Sequence, residues 1–339
     1  MTKATFFKRK NIEFSVQRYL IDGLGAMALG LFGTLIVGVI LETLGTTVNW
    51  PALVTAGEYA KQMMGPGIAV AVAWALKAPP LVLFASVVAG FVGATLGGPV
   101  GAWVAAVLAV EFGKLVADET KLDIIVTPVT VILVGFTAAR FIGPPIDVFM
   151  RGLGEVIMWA TELHPFPMGI VVAVVMGWAL TSPISSAALA IALELTGLAG
   201  GAALAGCAAH MVGFAVSSFP DNGWSGLVSQ GLGTSMLQIP NIIRKPIIGL
   251  PATVASMAGG PLATLVFRMD TTFWAAGMGT SGLVGPIGTL TAMGADGGVF
   301  VAIILLHFLI PGLIAAVVAS LMRGRGWLGP GDLQLVRHK

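Results

Sequence analysis

The chain has 339 residues, of which 56% are apolar and only 10% charged, with a mean hydropathy of +0.94. A soluble domain is nearer about a quarter charged, so these values exclude a water-soluble protein and predict an integral membrane protein. The net charge of +2 points to no particular partner, and no nucleic acid is expected.

Apolar runs of helical length, joined by short loops, exclude an outer-membrane barrel, whose strands alternate every second residue. The single cysteine, Cys207, rules out an internal disulfide and a cysteine-based metal cluster. No cofactor is expected. Basic residues precede the first apolar run (Lys3, Lys8, Arg9, Lys10, Arg18) and follow the last (Arg323, Arg325, Arg337, Lys339). Under the positive-inside rule both ends are expected in the cytoplasm, which predicts an even number of crossings. No cleavable leader is apparent in residues 1–18.

The first span is predicted at about 19–41, followed by a loop with an amphipathic interfacial piece within 45–65. Residues 66–96 form a largely apolar stretch interrupted at Lys77-Ala78-Pro79-Pro80. An unbroken helix of that length would measure roughly 46 Å against a hydrocarbon core of about 30 Å, so a broken helix or short hairpin is expected. Further spans are predicted at 99–116 and 124–142, with an interfacial helix over 144–165. Glu111 lies close to Lys114 and to the following loop, which favours a structural role. The last spans are expected at 246–267 and 296–322.

The stretch from Pro167 to Gly288 is different. An apolar helix, PMGIVVAVVMGWAL, breaks at Thr181-Ser182-Pro183-Ile184-Ser185-Ser186, because Pro183 removes a backbone donor and clashes with the preceding turn. A second apolar run contains one carboxylate, Glu194, and one imidazole, His210. Two polar, glycine-rich stretches follow, SSFPDNGWSGLVSQGLGTSMLQIPN and AAGMGTSGLVGPIG. Non-helical backbone at membrane depth survives only where it is buried in protein or lines a wet cavity, and interrupted helices point to a transporter's binding site.

Two ordered sets of residues repeat. Trp74-Ala75-Leu76-Lys77-Ala78-Pro79 resembles Trp178-Ala179-Leu180-Thr181-Ser182-Pro183, and Asp123 to Pro128 resembles Asn241 to Pro246. An internal duplication is therefore expected, with residues 19–150 as a scaffold repeat and 151–322 as the repeat that holds the site. Residues 1–18 and 323–339 would be cytoplasmic segments.

The residues PMGIVVAVVMGWALTSPISSAALAIALELTGLAGGAALAGCAAHMVGF, QGLGTSMLQIPNIIRKP and AAGMGTSGLVGPIG carry a resemblance. They resemble the EIIC-like membrane proteins of the phosphotransferase system, the group that includes the perfringolysin regulator. The resemblance implies a sugar-permease fold, a bacterial inner-membrane location and a homodimer. It also implies separate phosphotransferase subunits as partners, since such permeases pass sugar to a phosphocysteine or phosphohistidine on a soluble domain. Residues after Met322 are too few to form one, and Cys207 lies in a membrane helix.

The expected fold is thus an all-α polytopic membrane protein of about ten membrane helices or half-helices with two re-entrant loops. No serine-histidine-aspartate order, HExxH or CxxC supports catalysis or a metal site, so an enzyme is not expected. The candidate solute-binding residues are Ser185, Ser186, Glu194, His210, Asp221, Asn222, Gln230, Thr234, Ser235, Gln238, Asn241, Thr280 and Ser281. Neutral amides and hydroxyls both donate and accept, which suits sugar hydroxyls. Glu194, at the bilayer centre, would accept a sugar hydroxyl or carry a proton. Pro220-Asp221-Asn222-Gly223 reads equally as an exposed turn, and Arg244-Lys245 reads as a topology signal. The expected function is a permease moving a small carbohydrate-like solute by alternating access; the alternative is a non-transporting membrane sensor.

Overall fold

A computed structural model describes residues 3–335, without the side chains of residues 3–5 and Asp147. Residues 1–2, Arg337 and Lys339, parts of the two expected cytoplasmic segments, lie outside the described residues. Among the described residues all regular structure is helical. The chain divides into two compact units, residues 1–38 with 55–149 and residues 39–54 with 150–339.

In chain order the helices are α1 (Lys3–Arg9), α2 (Gln17–Thr47), α3 (Pro51–Gln62), α4 (Met64–Ala75), α5 (Pro80–Val116), α6 (Asp123–Thr161) and α7 (Pro165–Thr181). Then follow α8 (Ser186–Ala192), α9 (Gly197–Ser217), α10 (Phe219–Val228), α11 (Ile239–Arg244), α12 (Pro246–Val266), α13 (Val284–Met293) and α14 (Gly297–Gly324). Six of these, α2, α5, α6, α9, α12 and α14, are long and apolar enough to cross a membrane, and α4 and α7 are shorter apolar helices. The chain is a polytopic membrane protein.

In the first unit α4 stops at Ala75. Lys77 is exposed in the left-handed region at φ 55°, Pro79 is extended, and Pro80 opens α5, where its missing N–H costs nothing. α5 does not run straight. Gly97 and Gly98 leave helical geometry, Gly98 at φ +59°, a conformation that glycine adopts without penalty. The chain reverses there, so that a Cβ on Gly93 would lie 2.5 Å from the Gly101 carbonyl oxygen. Each arm is about 26 Å long by helical rise. The expected stop before 99–116 is present, as a hairpin.

One expectation fails here. A span over 124–142 and a separate interfacial helix over 144–165 are replaced by a single helix, α6, that continues through Gly143-Pro144-Pro145. The two prolines remove two adjacent donors, but their fixed φ is already helical, and membrane helices tolerate the loss where neighbours satisfy the freed carbonyls.

The second unit is built round α9, the most enclosed of the apolar spans. Its small residues let neighbours approach backbone to backbone, the usual basis of helix association in membranes. A Cβ on Gly206 would sit 2.0 Å from the Ala173 carbonyl oxygen in α7, and one on Gly260 of α12 would sit 2.0 Å from that of Gly169. α7, α9 and α12 thereby form a tight trio, and α14 lies against α9 through Gly312 and Val212.

Candidate solute-binding site

The break after α7 falls where Pro183 predicts it. Ser182 is extended, and Ser185 caps α8 by accepting from the Ala188 amide at 3.2 Å. This end of α7 meets α9 and the irregular stretch 229–238. Thr181 Oγ1 lies 2.8 Å from His210 Nδ1, 2.8 Å from Ser235 Oγ and 3.0 Å from the Gly177 carbonyl oxygen. With its one proton given to Gly177, Thr181 accepts from both other groups. That assigns the Nδ1–H tautomer to His210 and leaves Nε2 as the acceptor. Nε2 is buried without a partner among the described residues. The imidazole lies against Gly177, with the Trp178 ring centroid 5.2 Å away.

The turns at 273–280 join the same region. Ser186 Oγ donates to the Gly277 carbonyl oxygen at 2.7 Å, and Thr280 Oγ1 donates to that of Gly231. Thr234 caps the short turn that carries Ser235, accepting from the Met236 amide at 3.2 Å. Ser281 is buried, its hydroxyl unpartnered among the described residues.

A second polar group lies at the other end of the stretch 218–241. Gln230 Nε2 donates to Ser218 Oγ at 2.7 Å, and Gln238 Nε2 donates to Gln230 Oε1 at 2.9 Å. Asn241 Nδ2 donates to Gln238 Oε1 at 2.8 Å. Asp221 and Asn222 are not an exposed turn; they lie in α10, with Asn222 buried. These side chains meet the chain's own residues 331–335. Asp221 accepts from the amides of Gly331 (3.0 Å) and Leu333 (3.2 Å). Asn222 donates to the Leu333 carbonyl (2.8 Å) and accepts from the Leu335 amide (2.9 Å). Gln238 and Asn241 donate to the carbonyls of Leu333 and Gln334, each at 2.9 Å.

Glu194 does not join either group, which corrects its expected place in a membrane helix. It lies in the turn between α8 and α9 at φ 49°, exposed, at the far end of α8 from the Ser186–Gly277 contact. The length of α8 sets a separation of about 10 Å. The apolar leucines on both sides, Leu193 and Leu195, hide the turn in the sequence, and Leu195 is buried while Glu194 points out.

Sequence reasoning passed over Asp270, Thr271, Thr272 and Thr289. Asp270 Oδ1 accepts from the Gly197 and Thr271 amides at 2.6 and 2.7 Å. The hydroxyls of Thr271 and Thr272 both face Gly288, and they and Thr289 lack partners among the described residues. The polar run Asp270-Thr271-Thr272 after an apolar span was the available signal.

A family model described as Phosphotransferase system, EIIC matches residues 21–335. The chain belongs to that family. No curated protein and no solved structure matches it. As an EIIC chain it is a membrane-embedded permease component of phosphotransferase type.

In this EIIC protein residues 326–335 are fastened by charge as well. Asp332 Oδ2 lies 2.6 Å from Lys245 Nζ and accepts from the Gly329 amide at 2.6 Å. The Lys245 hydrogen bond, with help from the Gly329 amide, holds the Asp332 carboxyl below the usual carboxylate range. A depressed folded value means the contact is fully present above the free carboxyl's range, about 4, and lost as pH falls through the folded value. Hydrogen exchange at Gly329 and Leu333 should therefore be flat from neutral pH down to about 4 after correction for intrinsic rates. Protection should then fall on further acidification. In Lys245→Met the fall should begin at higher pH; an unchanged profile would count against the ion pair as the anchor.

Proposed function

We propose that this EIIC protein moves a small, neutral, hydroxyl-rich solute of carbohydrate type by alternating access, with its site beside the second half of α9. The carrying observation is that three irregular segments, 182–185, 229–238 and 273–283, meet there through Thr181–His210–Ser235, Ser186–Gly277 and Thr280–Gly231. Hydroxyls and one imidazole line this junction, and such groups match a polyol better than an anion. Segments 229–238 and 273–283 would be the two re-entrant loops. The α5 hairpin and the short helices α4, α7 and α8 would bring the membrane elements to about ten. The W-A-L-x-x-P motifs, each at the end of a helix, fit a duplication with the site in the second copy. Separate subunits would supply any phosphoryl group, a second copy would complete a dimer, and both ends would face the cytoplasm. Ser185, Ser186, His210, Thr234, Ser235, Thr280 and Ser281 are the proposed seats, with Asn222, Gln230, Gln238 and Asn241 beside them.

The test uses purified protein in detergent and a panel of neutral hexoses, hexitols and their phosphates. A neutral member should raise the melting temperature, since a ligand at a hundred times its Kd stabilises by about 2.7 kcal/mol. Thr181→Val and Ser235→Ala should each weaken that binding about tenfold, the worth of a lost buried hydrogen bond, and slow uptake into proteoliposomes. Stabilisation by the phosphates alone, or parent-like binding by both variants, would defeat the reading.

A further inference from the structure

The amides that would best suit a sugar are taken. Asp221, Asn222, Gln238 and Asn241 together make six hydrogen bonds to main-chain atoms of residues 331–335. The pattern is that of peptide recognition. Asn222 both donates to Leu333 and accepts from Leu335, as a neighbouring strand's peptide group would in a ladder. Asp221 accepts from the amides of 331 and 333, on a turn that the Gln334 amide closes by donating to the Gly331 carbonyl at 3.1 Å. Leu333 is the anchor: it is fully buried among Phe214, Ile248, Met322 and Leu328. Main-chain hydrogen bonds with one side chain in an apolar pocket are how a docked peptide obtains affinity and specificity.

The docked segment is also jointed. Gly326 and Gly331 both lie at positive φ, +73° and +82°, and Pro330 between them forbids a continuing helix. Rotation at these two points would swing residues 331–335 away and leave α14 intact. Arg323, before the first joint, stays tied to the Ser217 carbonyl at 2.6 Å.

We propose that residues 331–335 are a tethered peptide ligand that closes a peptide-reading groove formed by Asp221, Asn222, Gln238 and Asn241. The groove accepts a peptide folded in a Gly-Asp-Leu turn, with its leucine in the apolar pocket. While the segment is docked, these four side chains are spent. On release they, with Gln230 and Ser218 beneath, become available to an incoming group. The proposal does not depend on the solute being a carbohydrate, since its test uses no solute.

The test uses the full chain and a fluorescent peptide of residues 327–335, Trp-Leu-Gly-Pro-Gly-Asp-Leu-Gln-Leu. Leu333→Asp puts a carboxylate into an apolar pocket, which should eject the tethered copy. The free peptide should then bind the Leu333→Asp chain, and not the parent, in an anisotropy titration. Adding Asn222→Ala to Leu333→Asp should weaken that binding by at least about tenfold. Equal binding to parent and variant, or no binding to a folded Leu333→Asp chain, would overturn the proposal. Should Leu333→Asp not fold, hydrogen exchange on the parent in nanodiscs decides. A tethered ligand that comes and goes predicts that the amides of Gly331, Leu333 and Leu335 exchange together, and faster by about tenfold or more than those in the middle of α9. Protection equal to that of α9 would show a permanent part of the core and overturn it.

Discussion

Replacing Glu111 by glutamine should destabilise the first unit by about 3–5 kcal/mol, the usual result of breaking a buried ion pair. Glu111 Oε2 lies 2.9 Å from Lys114 Nζ, and Oε1 lies 3.5 Å from Arg18 Nε. These are ion-pair distances, although neither carboxylate oxygen is aligned as a hydrogen-bond acceptor. Lys114 is only 1% exposed. The two cations also hold the same two carbonyls: Lys114 Nζ donates to Asn11 and Leu76 at 3.0 and 3.1 Å, and Arg18 to both at 2.6 and 2.8 Å. The Leu76 carbonyl is one of those left open where α4 stops before Pro79, so the cluster is the cap that finishes the first W-A-L-x-x-P break. Without the carboxylate, the buried Lys114 cation is left beside the half-buried Arg18 guanidinium. The Glu111→Gln, Lys114→Met double variant should recover part of the loss, because it removes one stranded cation. Thermal unfolding in detergent measures both. A single variant as stable as the parent would show that water already reaches the cluster.

The membrane class, the breaks at 76–79 and 182–185 and the interruption at Gly97-Gly98 were legible because proline and glycine act locally. Pro80 and Pro183 remove donors wherever they stand, and Gly98 announces a positive φ that few other residues adopt. The buried polarity of 230–241 was legible too, from amides placed among apolar spans. What those amides bind was not. Their partners are peptide groups of residues 331–335, about a hundred residues further on, and a peptide group has no letter in the sequence. The docking of 331–335, which was expected only as part of a cytoplasmic segment, was therefore not foreseen, although Asp332 and Lys245 were a visible pair of opposite charges. Glu194 failed for a different reason. A non-glycine residue at positive φ is uncommon, and nothing in Leu-Glu-Leu-Thr distinguishes a turn from a helix. The continuation of α6 through Pro144-Pro145 is the converse, a strong local signal overridden by its surroundings.

The trio of α7, α9 and α12 should be lost on Gly206→Leu, with the second unit failing to form a stable fold. Gly206 meets the Ala173 carbonyl so closely that even a Cβ would stand 2.0 Å from it, and the Ala173 Cα would be 2.4 Å away. Both are backbone atoms, so no rotamer change relieves the clash; α7 and α9 must move apart. Separation would open the Gly169–Gly260 contact, which is equally close, because α7 is common to both. It would also pull Thr181 from His210 and Ser235, now 2.8 Å from each, so a structural change at Gly206 reaches the proposed site. Overpacking in a close-packed core typically costs about 1–3 kcal/mol. Gly206→Ala should fall near the upper end of that range, and leucine should exceed it. Gly312→Ala is the control: the nearest side-chain atom to its Cβ would be 3.5 Å away, an ordinary contact, and that variant should melt with the parent. Melting curves for the three proteins in one detergent give the order. If Gly206→Leu unfolded no earlier than Gly312→Ala, close glycine packing would not be what holds α7 against α9.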